Sequence, residues 1–208
     1  MGDQLRLEQV RIELSGATLV EVDLAVQPGQ VVTIMGASGS GKSTLLAYIA
    51  GFLDPAFTAS GRVLLDGDDV TALPAEARRI GLLFQDPLLF PHLSVAGNLL
   101  FGIAPGSDGR RERVAEALAS AGLDGFGDRD PFTLSGGQRA RVALLRLVLS
   151  APRAVLLDEP FSKLDAHLRG EFRKLVFDRL RASNLPALLV THDEADALAA
   201  NGPVVRIG

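Results

Sequence analysis

The sequence predicts an α/β domain, with a mostly parallel sheet flanked by helices, an antiparallel β-region before it and an inserted helical lobe. Within the first thirty residues, apolar and polar side chains alternate with period two, as in strands that have one wet face. Three later runs are almost wholly apolar: VVTIM (31–35), AVLLD (154–158) and ALLVT (187–191). Such runs are typical of parallel strands buried on both faces, and strand–helix repetition indicates a layered core.

The elements follow in order along the chain. A PGQ turn at residues 28–30 ends the alternating region. Helices are predicted at Lys42–Phe52, Arg110–Gly122, Gln138–Ser150 and Ala166–Ala182. Residues 85–133 contain no buried apolar run, which favours a mostly helical insert. We therefore expect 1–208 to form a single domain, with 1–84 and 134–208 as the core with its β-region and 85–133 as an inserted helical subdomain.

Composition limits the possible functions. The net charge of −4 argues against a nucleic-acid binder, which normally carries a basic face. With no cysteine, the chain can form neither a disulfide framework nor a thiolate metal site. Pro87–Ser107 has no charged residue, but its prolines and glycines interrupt it too often for a membrane span. We interpret it as a groove for a partner's short helix or as internal core of the lobe, with His92 on a surface loop.

A glycine-rich loop, GASGSGKS, follows the first buried apolar run and precedes a predicted helix. In this context the loop turns backbone N–H groups toward phosphate oxygens, Lys42 supplies a point charge, and Ser43 offers a hydroxyl to Mg²⁺. The alternative is a glycine-rich turn without a ligand. The predicted phosphate-binding residues are Gly36, Ala37, Ser38, Gly39, Ser40, Gly41, Lys42 and Ser43.

Two other apolar runs also end in polar residues, at the edge where α/β sheets bind their ligands. Asp158 is predicted to hold the Mg²⁺ shell through water, and Glu159 to act as the general base on the attacking water. The alternative is an ordinary acidic pair at a strand end. His192 is either a structural hydrogen-bonding residue or a group that touches the γ-phosphate.

A second turn, LSGGQ at residues 134–138, offers glycine N–H groups to an anion but contains no lysine. Its plainer interpretation is that Ser135 caps a helix from Gln138 onward, and one serine can serve both purposes.

The ordered set GASGSGKST, Gln85, LSGGQ, AVLLDEP, SKLD and THD resembles the ATP-binding cassette (ABC) ATPases over essentially the whole chain. Within that family the chain is most similar to compact YnjD-type bacterial small-solute importer ATPases. The resemblance implies a P-loop NTPase core that binds ATP and Mg²⁺, with Thr44 added to the phosphate site.

The resemblance also implies a head-to-tail homodimer in which each LSGGQ turn closes over the nucleotide held by its twin. Ser135, Gly136, Gly137 and Gln138 would then contact the partner's ATP. Gln85 would be both a catalytic residue and a metal ligand beside Ser43 and Asp158, and Asp165 would cross the dimer interface.

The partners that the resemblance implies are a second ATPase copy, integral membrane permease subunits and, indirectly, a solute-binding protein, at the cytoplasmic face of the bacterial inner membrane. The FPHLSVAGN stretch resembles importers. Three alternatives compete: an exporter cassette, a non-transport ABC ATPase and a small phosphate-loop kinase. A non-transport ATPase of the DNA-repair type would carry a longer insertion before LSGGQ, and a kinase would leave LSGGQ and SKLD unused.

The chain departs from the family where an aromatic residue usually stacks on adenine. The matching place, near Leu14, has no aromatic residue, and the single tyrosine, Tyr48, lies in the helix after the phosphate loop. We therefore expect weaker apolar contact with the base and measurable binding of GTP.

Overall fold

The computed structural model describes residues 4–208, apart from the side chain of His167. Its Cα positions group into two compact units. The first runs to Leu82 and includes Arg153–Glu159 and Arg173–Gly208, and the second contains Leu83–Pro152 and Pro160–Phe172. The second unit is larger than the predicted insert, and the assignment of 85–133 as a separate subdomain stays a prediction.

An antiparallel sheet in the first unit has the order β2-β1-β4-β5. Its inward face carries Leu5, Leu7, Val10 and Ile12, all fully buried. The buried positions change from odd to even numbers because the pairing register shifts between Leu7 and Val10, where Gln9 has a φ of 47°. The strands are β1 (Leu5–Leu14), β2 (Ala17–Val26), β4 (Phe57–Leu65) and β5 (Asp68–Asp69).

The central sheet has five strands in the order β6-β7-β8-β3-β9. The neighbours β7–β8, β8–β3 and β3–β9 are parallel. All residues of β3 and β8 are buried, as the unbroken apolar runs predict. The strands are β3 (Val31–Met35), β6 (Ile80–Leu83), β7 (Ala154–Asp158), β8 (Ala187–Thr191) and β9 (Val204–Arg206). The predicted mixed α/β fold is confirmed.

Seven α-helices lie within the described part of the chain: α1 (Lys42–Ala50), α2 (Ala75–Arg78), α3 (Val95–Gly102), α4 (Arg110–Ser120), α5 (Gly136–Leu149), α6 (Ala166–Ala182) and α7 (Glu194–Ala200). The bounds of α6 are those predicted. Helix α1 ends two residues before Phe52 because Gly51 takes a left-handed C-cap conformation. Among residues 4–208, no helix is long and apolar enough to span a membrane.

The second unit holds α3, α4, α5 and a short 3₁₀ helix at Pro131–Thr133 around its own core. The charge-poor segment has both buried and exposed apolar residues, and its role as a groove for a partner stays a prediction. Val95, Leu99 and Ile103 are buried in the core, whereas Leu88 and Phe101 are 56% and 67% exposed. His92 is exposed, as expected. This part of the chain therefore supplies both lobe core and apolar surface.

Candidate functional site

The phosphate loop connects the carboxyl end of β3 to the first residue of α1. Its backbone packs so closely that side chains are excluded at two positions. A Cβ atom on Gly36 would lie 2.4 Å from the Ile207 carbonyl oxygen, and one on Gly41 would lie 2.4 Å from Val20 Cγ2. Gly41 also has a φ of 84°, a conformation that favours glycine. The cradle is therefore shaped by its glycines.

The first turn of α1 is open. No side chain caps this helix, so its leading N–H groups and the positive end of its dipole face the loop. Lys42 is only 7% exposed, and its Nζ donates to the carbonyl oxygens of Gly36 (2.9 Å) and Ala37 (2.7 Å). The buried hydroxyl of Ser40 has no partner among the described residues. An open helix start beside a buried ammonium group fits a phosphate chain.

Ser43 and Asp158 bring two oxygen atoms together at the edge of the sheet. Ser43 Oγ donates to Asp158 Oδ1 over 3.2 Å, from the start of α1 to the end of β7. Burial raises the pKa of the Asp158 carboxyl above its ordinary value, the hydrogen bond from Ser43 opposes this, and the neighbouring charge of Glu159 adds to it. Hard oxygen donors of this kind suit Mg²⁺, which would relieve the same electrostatic cost.

Glu159 follows β7 with a φ of 44°, uncommon for a residue with a side chain. Its N–H donates to the Val190 carbonyl oxygen at 2.9 Å. Its Oε1 lies 3.1 Å from Nδ1 of His192, which follows β8. The His192 side chain is 66% exposed and that of Glu159 is 24% exposed. A carboxylate and an exposed imidazole therefore face solvent as a pair.

The predicted residues Lys42, Ser43, Asp158, Glu159 and His192 thus all lie in the first unit. They follow three neighbouring parallel strands, β3, β8 and β7, at the carboxyl edge. This is the edge at which open α/β sheets bind their ligands.

The other loop residues, Gly36–Gly41 and Thr44, also lie in the first unit, whereas Gln85, the LSGGQ residues and Asp165 lie in the second unit. Helix α5 begins at Gly136, two residues before the predicted start, because Ser135 caps it: Ser135 Oγ accepts from the Gln138 N–H (3.3 Å), and Gln138 Oε1 accepts from the Ser135 N–H (2.9 Å). Asp165 accepts from the Leu168 N–H at 3.0 Å. Gln85 is exposed, two residues after β6.

The place where the base is expected is aliphatic. Leu14 ends β1 and is 42% exposed. Tyr48 cannot substitute for a stacking aromatic, because it is buried and its hydroxyl donates to the Gly61 carbonyl oxygen at 2.9 Å. Burial also raises the pKa of the Tyr48 phenol. Its role is structural.

Sequence reasoning missed a hydrogen-bonded side-chain pair, Arg173 and Asp196, which lies near His192. The sequence carries no local signal for this contact, because Arg173 and Asp196 lie 23 residues apart on different helices.

Comparison with known proteins agrees with this geometry. The sequence profile of the ABC transporter family matches residues 19–162. The chain is 47% identical over 197 residues to the uncharacterized ABC transporter ATP-binding protein YnjD of Escherichia coli, covering 94% of this chain and 88% of that protein. It is 46% identical over 197 residues to the thiamine import ATP-binding protein ThiQ of a Jannaschia species, covering 93% and 84%.

A third relative is longer. The Fe(3+) ions import ATP-binding protein FbpC of Mesorhizobium japonicum is 47% identical over 199 residues, covering 92% of this chain. The chain spans 54% of the length of that protein. Given the phosphate loop, the acidic strand end, the histidine and these similarities, the chain belongs to the ABC transporter family, as an ATP-binding protein with the ATPase activity that drives transport.

Proposed function

We propose that this chain is the ATP-hydrolysing subunit of a bacterial ABC importer and that it works as a head-to-tail dimer. One observation carries the proposal. A buried ammonium group, a hydroxyl–carboxylate pair and a carboxylate–imidazole pair follow three neighbouring parallel strands of one unit. This arrangement supplies the positioning and the electrostatic stabilisation that phosphoryl transfer needs.

Each side chain has a distinct task in this proposal. Lys42 exchanges its two loop carbonyl partners for phosphate oxygens, at no cost in added burial because it is already buried. Ser43 and Asp158 would hold Mg²⁺, which when bound would supply charge neutralisation to the phosphates. Glu159 accepts the proton of the attacking water, and His192 holds the Glu159 carboxylate from its other side while its second ring nitrogen faces the γ-phosphate.

The second copy completes the site. In each subunit the exposed Ser135 and Gly136 are available to an anion, and a Cβ on Gly136 would meet no atom within 4 Å. A triphosphate held by one subunit can therefore approach the LSGGQ turn of the other. Asp165 then crosses the interface between the two copies.

The partners follow from the surface and from the relatives. Phe84, Leu88 and Phe101 are exposed apolar residues of the second unit and support docking of a short helix from a membrane permease. Relatives are named for import of Fe(3+) ions, thiamine, and spermidine or putrescine. These names share import as the direction of transport, so we assign import at the cytoplasmic face of the inner membrane. Because the solutes are so different, we name none of them.

Replacing the general base tests the proposal. In Glu159→Gln the amide keeps the size of the carboxyl but accepts no proton, so ATP and Mg²⁺ should trap a closed dimer. Light scattering should show the mass rise from 22.0 kDa to twice that value. The matched control, Glu159→Gln with Lys42→Ala, should stay a monomer, as should Glu159→Gln with ADP. A Glu159→Gln variant that binds ATP yet stays monomeric, alone and with its permease, contradicts the proposal.

A further inference from the structure

A buried hydrogen-bond network lies directly behind His192. Thr191, the last residue of β8, is 2% exposed. Its hydroxyl donates to Asp196 Oδ2 at 2.8 Å and accepts from the Asp193 N–H at 3.1 Å. The residues on both sides of His192 are therefore tied to one buried hydroxyl and, through it, to Asp196.

Asp196 is anchored in turn by Arg173. Asp196 lies on α7, and only 3% of the residue is exposed. Its Oδ1 accepts from Arg173 Nε at 2.9 Å and from Arg173 Nη2. Arg173 Nη2 also lies 3.8 Å from Asp193 Oδ2. The two oxygens of Asp196 thus have different tasks, since one binds the guanidinium group and the other binds Thr191.

The network has a geometric consequence for the exposed imidazole. His192 is two-thirds exposed, so little side-chain packing fixes its direction. Its direction depends on the backbone at residues 191–193, which the Thr191 hydroxyl and Asp196 hold. A small rotation of this backbone would carry Nδ1 away from Glu159 Oε1, which lies 3.1 Å from it.

We propose that Asp196 and Arg173 are positioning residues that hold His192 against Glu159. The inference rests on the proposed function, because that function gives His192 its catalytic task. The contacts given above join the pair to Thr191 and Asp193 rather than to the phosphate loop or the Ser43–Asp158 pair. Its loss should therefore lower kcat about 10- to 100-fold, as for other small misplacements of a catalytic group, and leave the KM for ATP within about twofold.

The first test observes His192 directly. The chain has three histidines, His92, His167 and His192, so their ring NMR signals can be assigned by single replacements with glutamine. Asp196→Asn keeps the shape of the side chain and removes its charge. The matched control is Asp178→Asn on α6, the helix of Arg173, which removes an exposed ion pair with Lys174 (2.6 Å). We expect Asp196→Asn to move the His192 signal and leave that of His92, and Asp178→Asn to move neither. An unmoved His192 signal in folded Asp196→Asn overturns the proposal.

A second pair of variants covers the case in which Asp196→Asn does not fold. Thr191→Val removes the hydroxyl from the network, and Thr191→Ser keeps it. Thr191→Val should move the His192 signal, and Thr191→Ser should leave that signal close to its wild-type position. Equal signals in the two variants would count against a positioning role.

The third test compares hydrolysis rates in a double-mutant cycle. If Asp196 acts through His192, then His192→Ala with Asp196→Asn hydrolyses ATP as slowly as His192→Ala alone. If the two losses multiply, Asp196 acts elsewhere and the inference is wrong. If His192→Ala hydrolyses ATP at the wild-type rate, the proposed catalytic role of His192 fails, while the NMR comparison still decides whether Asp196 positions the ring.

Discussion

Two helices of this molecule begin at glycine-rich turns, one in each unit, and their first turns are in opposite states. Helix α1 has Gly41 at its N-cap and no side-chain cap, and Lys42 lies across the loop carbonyls. Helix α5 has a reciprocal capping box between Ser135 and Gln138. One helix start is open and the other is closed by its own side chains.

This difference indicates that the two turns contribute to phosphate binding in different ways. An uncapped start leaves N–H groups and a dipole end to be satisfied from outside, so it gains most from an anion. A capped start is stable by itself and offers an incoming phosphate only the groups that the box leaves, chiefly that of the exposed Gly136. The first turn therefore suits primary binding of a nucleotide, and the second suits closure over a nucleotide already held.

The largest effect should come from the charge in the open turn. Lys42→Met removes the ammonium group, and we expect ATP affinity to fall roughly 100-fold, because charge-assisted hydrogen bonds to phosphate are lost. The control is Arg139→Met, which removes a cation bonded to the Leu134 carbonyl oxygen (2.7 Å) beside the closed turn. It should leave ATP affinity of the isolated chain unchanged. Titration calorimetry measures both, and similar losses in the two variants would erase the distinction.

The same substitution should have different effects in the two turns. In Gly36→Ala the new methyl group meets the Ile207 carbonyl oxygen at 2.4 Å and Ser40 Oγ at 2.6 Å, so we expect a loss of about 1–3 kcal/mol. In Gly136→Ala the space is open and helix propensity favours alanine, so the change should be stabilising and below about 1 kcal/mol. Unfolding in urea measures the free energy of unfolding of both variants. Equal losses of this free energy would show that both turns are packed alike.

Removing the cap should weaken only the closed turn. Ser135→Ala deletes the oxygen that accepts from the Gln138 N–H and should cost about 1 kcal/mol of folding free energy. Ser38→Ala is the control, because Ser38 is exposed in the phosphate loop and α1 has no side-chain cap to lose. Its effect should stay within about 0.5 kcal/mol. A Ser135→Ala variant as stable as Ser38→Ala would mean that the box contributes nothing.

The smallest effect is a pH dependence beside the open turn. Burial raises the pKa of Asp158 above its unfolded value, so the folded chain binds the proton more tightly than the unfolded chain does. Stability from this group is therefore lost as pH rises through the raised pKa. Without nucleotide and Mg²⁺, Asp158→Asn should be the more stable protein near neutral pH, by an advantage that shrinks toward about pH 4. Thermal unfolding across this range should show the convergence, and a difference independent of pH would contradict it.

Much of the fold is predictable because full burial leaves few choices of residue. The strands β3, β7 and β8 lie at the predicted residues, since a strand covered on both faces must be apolar throughout. Strand β4 was not predicted, because Gly61 has no side chain to mark the buried face and Leu64 departs from the polar–apolar alternation. The start of α5 was placed too late, because its two glycines resemble a loop and only the capping box makes them helical.

The site residues also divide into those that a local sequence pattern identifies and those that it does not. Asp158 and Glu159 can be identified from sequence because they stand at the end of a recognisable apolar run, and Lys42 because it ends a glycine-rich loop that follows such a run. The contact between Arg173 and Asp196 joins α6 to α7 and has no local pattern. The proposed roles of Asp165 and the LSGGQ residues arise between two copies, so their contacts within one chain, a helix cap in each case, carry no signal of them.

The pairing of β3 has a consequence for how the protein is made. Its two neighbours, β8 and β9, come from a part of the chain synthesised long after the glycine loop itself. While the chain is on the ribosome, the five residues at 31–35, which are all buried in the folded protein, have no strand partners yet. Long-range pairing of this kind is slow and produces intermediates that are prone to aggregate. We therefore expect nascent chains halted before residue 187 to aggregate or recruit chaperones, and competence to bind nucleotide to appear only after β8 and β9 have been synthesised.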